Sequence, residues 1–121
     1  MTVAIWTGVV LIGGTGAVLR FLVDRAVAGR IARSFPFGTL AVNLSGALVL
    51  GLLGGLALTQ TAALLAGTAF VGSYTTFSTW MLETQRLAEE RQLWPAAANI
   101  VVSVVLGVAA AMAGQWIADW L

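Results

Sequence analysis

Four stretches of this chain, residues 3–23, 37–58, 62–82 and 95–117, are each apolar enough and long enough to cross a bilayer. A spanning helix needs about 20 mostly apolar residues. In hydrocarbon only helices and closed barrels satisfy all their backbone polar groups. The connections between the stretches are short and polar, around residues 24–34, 59–61 and 86–92. The pattern predicts an all-α membrane protein: one transmembrane domain over residues 1–121 with four transmembrane helices. Pro36 stands where the second helix starts, and Pro95 near the start of the fourth.

Composition narrows the chemistry. The chain is 60% hydrophobic and only 9% charged, too little charge to cover a soluble domain of this size. It has no Cys, His or Lys. Disulfides, thiolate chemistry, histidine acid–base work and Schiff bases are therefore excluded. No nucleophile–base pair can be assembled, so an enzyme is not expected. A net charge of +1 points to neither nucleic acid nor a polybasic membrane tether. The N-terminal residues up to Trp6 lack the basic segment of a signal peptide. Ala26-Val27-Ala28 has the form of a cleavage site but follows Asp24 and Arg25, so cleavage is not expected.

Four crossings place both termini on one side of the membrane. All six arginines, Arg20, Arg25, Arg30, Arg33, Arg86 and Arg91, fall on or near the opposite, loop side, which the positive-inside rule assigns to the cytoplasm. Trp6, Trp94, Trp116 and Trp120 lie near predicted span ends, as in an interfacial aromatic belt. Gly51 and Gly55 form a small-residue pair on the second span, and Ala110 and Gly114 another on the fourth. Such spacing lets helix backbones approach closely, either within one chain or between two subunits. Four short helices leave little interior for polar groups, which favours a dimer surrounded by lipid.

One segment breaks the apolar pattern. Gly72-Ser73-Tyr74-Thr75-Thr76-Phe77-Ser78-Thr79-Trp80 places hydroxyls and aromatics inside the third span. An unsatisfied polar group in hydrocarbon costs several kcal/mol, so the run must face a partner, a cavity or an ion path. Thr39 and Asn43 on the second span, and Asn99 and Ser103 on the fourth, repeat the polar theme at one-turn spacing. Neutral hydroxyls and amides can donate to an anion without trapping it, as conduction requires. They also glue helices together, and the sequence leaves both uses open. Arg20 can concentrate anions or snorkel to the interface. Glu83, one turn past Trp80, is either a pore-mouth group or the end of a span. Phe77 can turn the positive edge of its ring toward an anion. Glycine and successive β-branched residues favour a broken third helix, whose freed carbonyls can coordinate a hard cation.

Taken together the motifs resemble the Fluc/CrcB family of fluoride channels. They are Gly13-Gly14-x-Gly16-Ala17-x-x-Arg20, Gly38-Thr39-Leu40-x-Val42-Asn43-x-x-Gly46, Gly72-x-x-Thr75-Thr76-Phe77-Ser78-Thr79 and Asn99-x-x-x-Ser103-x-x-x-Gly107. The resemblance implies an antiparallel, dual-topology dimer in the cell (inner) membrane. It implies passive export of fluoride, protecting the cell against fluoride toxicity. It implies a structural sodium ion at the dimer interface on the backbone carbonyls of Gly72 and Thr75. It implies a fluoride pathway through Arg20, Thr39, Asn43, Phe77, Ser78, Thr79, Ser103 and Glu83. Trp80 stands where the family carries a second pore phenylalanine, and its larger indole adds an N–H donor. Asn99 stands where some members carry tyrosine. The one-sided arginines are unlike a dual-topology homodimer and suit one half of a heterodimer with an oppositely oriented paralogue, whether conducting or silent. A small proton-coupled multidrug exporter is the competing transport class, but it needs a membrane-embedded carboxylate, which residues 3–23 lack.

Overall fold

The structure is a computed structural model that describes residues 2–31 and 33–121. Met1 and Ala32 lie outside it, and with Met1 the first residue of the N-terminal segment discussed above. Six α-helices and one π-helix are described: α1 Val3–Arg30, α2 Phe37–Gly55, α3 Gln60–Ala63, a π-helix Leu64–Val71, α4 Gly72–Tyr74, α5 Ser78–Glu89 and α6 Leu93–Ala118. Three of them, α1, α2 and α6, are long and apolar enough to cross a membrane.

The helix ends depart from the hydropathy windows for physical reasons. Thr2 caps α1 by accepting from the Ile5 N–H. The helix then runs to Arg30, well past the expected end at residue 23. Polar residues end an apolar span, but Asp24, Arg25 and alanines do not end a helix. At 28 residues α1 is about 42 Å long, against a hydrocarbon core of about 30 Å. By contrast α2 stops at Gly55, three residues early, after the paired Gly54 and Gly55. Thr59 is the cap of α3, accepting from the Ala62 N–H, so residues 60 and 61 of the expected connection are helical. Arg86 and Glu89 belong to α5 rather than to a loop. That helix closes with the Arg91 and Gln92 N–H groups donating to the Ala88 and Leu87 carbonyls, and Arg91 takes the left-handed φ of 60°.

The most extensive pairing joins α2 to α6. Gly51 lies against the backbone of Ala111, Gly55 against Ala118 and Gln115, and Gly114 against the backbone of Leu48 and Leu52. A Cβ at any of the three would collide with its neighbour. The glycine pair of α2 is therefore used within the chain, and on α6 its opposite number at Gly51 is Ala111 rather than Ala110.

The π-helix packs on α1. Gly16, buried, admits Ser73 and the Phe70 carbonyl at a distance no side chain would allow. The Ser73 hydroxyl donates to the Ala69 and Phe70 carbonyls at 2.7 and 3.0 Å, satisfying backbone groups at the end of the π-helical stretch. Leu87, fully buried, anchors α5.

Candidate functional site

Between α4 and α5, Thr75, Thr76 and Phe77 lie outside helix. Thr75 turns the chain into extended backbone, with ψ 160°. Its methyl occupies the place where a Cβ of buried Gly46 on α2 would lie. An unwound stretch exposes backbone polar groups that must find partners. Asn43 supplies two of them. Its Nδ2 donates to the Thr76 carbonyl and its Oδ1 accepts from the Thr76 N–H, each at 2.8 Å. The Thr76 hydroxyl accepts from the Thr79 N–H at 3.2 Å and so caps α5.

These bonds have a second effect. In an uninterrupted α-helix the Thr76 N–H would donate to the Gly72 carbonyl, and the Thr79 N–H to the Thr75 carbonyl. Asn43 and Thr76 intercept both donors. Among the described residues no backbone N–H donates to either carbonyl across the break. The two carbonyls expected to hold a cation are thus the two released by side-chain capping. The Thr75 hydroxyl is turned back onto the Val71 carbonyl at 3.0 Å.

The predicted pathway residues divide between two concavities. An open groove of about 400 Å³ is lined by Asn43, Phe77, Trp80 and Ser103, together with Thr75 and Thr76. Phe77 is 69% exposed and meets Trp80 edge to face, with ring centroids 5.7 Å apart at 84°. A smaller cavity of about 210 Å³ is lined by Arg20, Thr39 and Thr79 with Phe21, Asp24, Val42 and Thr76. Thr76 belongs to both walls. The Arg20 Nε is buried without a hydrogen-bond partner among the described residues. The guanidinium and the Thr79 hydroxyl favour an anion here, while Asp24 in the same lining opposes one and the Thr39 hydroxyl hydrogen is given to Glu83.

Thr39, 2% exposed, donates its hydroxyl to the Glu83 carboxylate at 2.5 Å. Glu83 lines a third hollow with Asp24, Arg33 and Arg86, so it adjoins the Arg20 cavity through Thr39 but is not in the groove. Ser78 is exposed at the start of α5 and lines neither concavity. Gly72 is exposed beside the break. The polar pair on α6 separates: Ser103 lines the groove, whereas Asn99 is 1% exposed in the joint between α5 and α6. Thr76, not among the expected site residues, fixes the break and walls both concavities. Its position beside Thr75 in the polar run was the available signal. Ser45 and Tyr74, joined hydroxyl to hydroxyl at 2.8 Å, were also not anticipated.

The profile of the CrcB-like protein family, described as Camphor Resistance (CrcB), matches residues 7–115. A protein of Mycobacterium bovis named "Fluoride-specific ion channel FluC 2" is 74% identical over 119 residues, covering 98% of this chain and 94% of the relative. One of the same name from Mycolicibacterium paratuberculosis is 75% identical over 118 residues, covering 98% and 97%. "Fluoride-specific ion channel FluC 1" of Streptomyces avermitilis is 45% identical over 120 residues, covering 96% and 97%. With the family profile spanning nearly its whole length, and relatives this similar from end to end, the chain belongs to the CrcB-like protein family.

Proposed function

We propose that this chain is a fluoride-selective ion channel of the cell membrane, passing fluoride passively outward and so protecting against its toxicity. The observation that carries this is identity of 74% to a fluoride-specific channel over 98% of the chain. The site chemistry is consistent with it. Fluoride is small and strongly hydrated, and a pathway must replace its water with weak, numerous donors. Arg20 draws the anion into the cavity it lines with Thr39 and Thr79. Ser103 offers a hydroxyl in the groove, and the rings of Phe77 and Trp80 offer positive edges where hydroxyls run out. Asn43 keeps the wall in shape through Thr76 and has one further amide hydrogen for the ion. Ser78 and Glu83 belong to the entrances of the path.

In this reading α3, the π-helix, α4 and α5 make one broken third crossing between α2 and α6, giving four spans. The groove is half a pore, closed when a second, oppositely oriented subunit covers it. A sodium ion fits at the break through the Gly72 and Thr75 carbonyls, and it would supply positive charge that pins two unwound segments together. The release of both carbonyls by Asn43 and Thr76 supports that fit.

A second reading is favoured by the arginines. All six lie toward the C-terminal part of α1, the following connection and the end of α5. A chain so biased inserts in one orientation. Its antiparallel partner is then a paralogue, and the relatives include proteins named FluC 1 as well as FluC 2.

The test is fluoride efflux from liposomes containing only the purified chain, with chloride as control. Rapid release of fluoride without chloride establishes a self-sufficient channel. Silence from folded protein that is relieved by an oppositely oriented paralogue establishes the heterodimer. Silence with both present rejects the channel reading.

A further inference from the structure

Trp80 lines the groove, yet its only side-chain hydrogen-bond donor does not serve the groove. The indole Nε1 donates to the backbone carbonyl of Asn99 on α6 at 3.0 Å. A carbonyl has two lone pairs and can accept this bond beside a helical one. The buried Asn99 side chain closes the circuit in the other direction. Its Nδ2 donates to the Thr84 hydroxyl at 2.8 Å and reaches the Trp80 carbonyl at 3.5 Å. The Thr84 hydroxyl donates to that same Trp80 carbonyl at 2.9 Å. Asn99 is thus tied to α5 through its amide while its backbone holds the indole. Phe77 then stacks edge to face on the ring so held.

We infer that Asn99 and Thr84 are positioning residues that turn the Trp80 N–H out of the groove and fix the indole against Phe77, so that a passing anion meets aryl edges and not a strong donor. The inference rests on the anion-pathway reading above. An N–H free in the groove would bind chloride as well as fluoride and hold either too long for fast conduction. Ring edges carry only a weak positive charge and discriminate by how closely the ion approaches. A tryptophan at this position therefore needs its donor satisfied elsewhere, and the α6 carbonyl does that.

The test uses the full chain in liposomes, with its paralogue if efflux requires one, and two readouts. Asn99→Ala keeps the accepting carbonyl but cuts the amide tie that seats it against α5, and Thr84→Val cuts the same tie from the other side; each is expected to lower the fluoride-to-chloride efflux ratio about tenfold, the worth of one net hydrogen bond, while Thr84→Ser keeps the ratio. In a Trp80→Phe background, which has no donor to misplace, the same two substitutions should leave that background's ratio unchanged. Equal losses in both backgrounds mean a merely structural joint and overturn the inference, as does no loss in either. The second readout is hydrogen exchange of the Trp80 indole N–H by NMR, assigned by its absence in Trp80→Phe. Protection in the parent and its loss in Asn99→Ala support the lock. Protection in both overturns it. A protected indole in a chain that passes no fluoride under any condition refutes the pathway reading and, with it, the role in selectivity, while the lock itself stands.

Discussion

Asn43 on α2 hydrogen-bonds both backbone polar groups of Thr76, accepting from its N–H and donating to its carbonyl, each at 2.8 Å. One side chain thereby does for an unwound segment what an adjacent strand does for a sheet edge. Asn43→Ala should abolish fluoride efflux. It should also lower thermal stability in detergent, since an unpaired buried donor or acceptor costs about 1–3 kcal/mol. Full efflux would show that the ion does not follow this wall, and unchanged stability would show that the clamp contributes nothing.

Thr76 caps α5 with its hydroxyl and so keeps the Thr79 N–H from the Thr75 carbonyl. Thr76→Val removes the cap and lets that N–H return. Efflux should then lose its support by sodium, whereas Thr76→Ser should retain it. The comparison is of rates in sodium against a large organic cation. A parent protein indifferent to sodium would refute the proposed cation site.

Phe77 is largely exposed in the single chain, so replacing it removes little packing. Phe77→Ile should stop fluoride efflux while leaving the unfolding temperature within a few degrees of the parent, the scale of about 1 kcal/mol in a domain this size. Undiminished efflux would place the path elsewhere.

Gly114 on α6 meets the backbone of Leu48 and Leu52. Gly114→Ala must push α2 and α6 apart, at a cost of about 1–3 kcal/mol typical of overpacking. Gly54, with open space where its Cβ would be, is the control, and Gly54→Ala should be close to neutral in the same thermal measurement. Equal effects at the two positions would count against a tight seam.

Much of the framework could be read from the sequence because hydrophobic length is a strong signal. The apolar windows locate α1, α2 and α6, and the polar run locates the break within a few residues. What hydropathy could not give was the end of α1, because it marks where the bilayer stops and not where hydrogen bonding stops. The use of Gly51 and Gly55 within the chain was one of two open alternatives, and only packing against Ala111 and Ala118 decided it. Asn99 and Ser103 share a helix face by spacing, yet α5 lies over one and the groove over the other. The capping of Thr76 by Asn43 joins residues 33 positions apart, and no local pattern announces such a pair. Sequence spacing names the polar residues; which of them is consumed by the fold depends on neighbours that one helix cannot see.

The glycine seam has a consequence beyond stability. Asn43 belongs to α2 and Ser103 to α6, so the two sides of the groove ride on the two helices that the seam joins. Their spacing is set some turns away, where Gly51 and Gly114 bring backbone against backbone. The seam acts as a ruler for the groove, and in the proposed channel ions that differ by a fraction of an ångström would be sorted by a dimension fixed at residues they never touch.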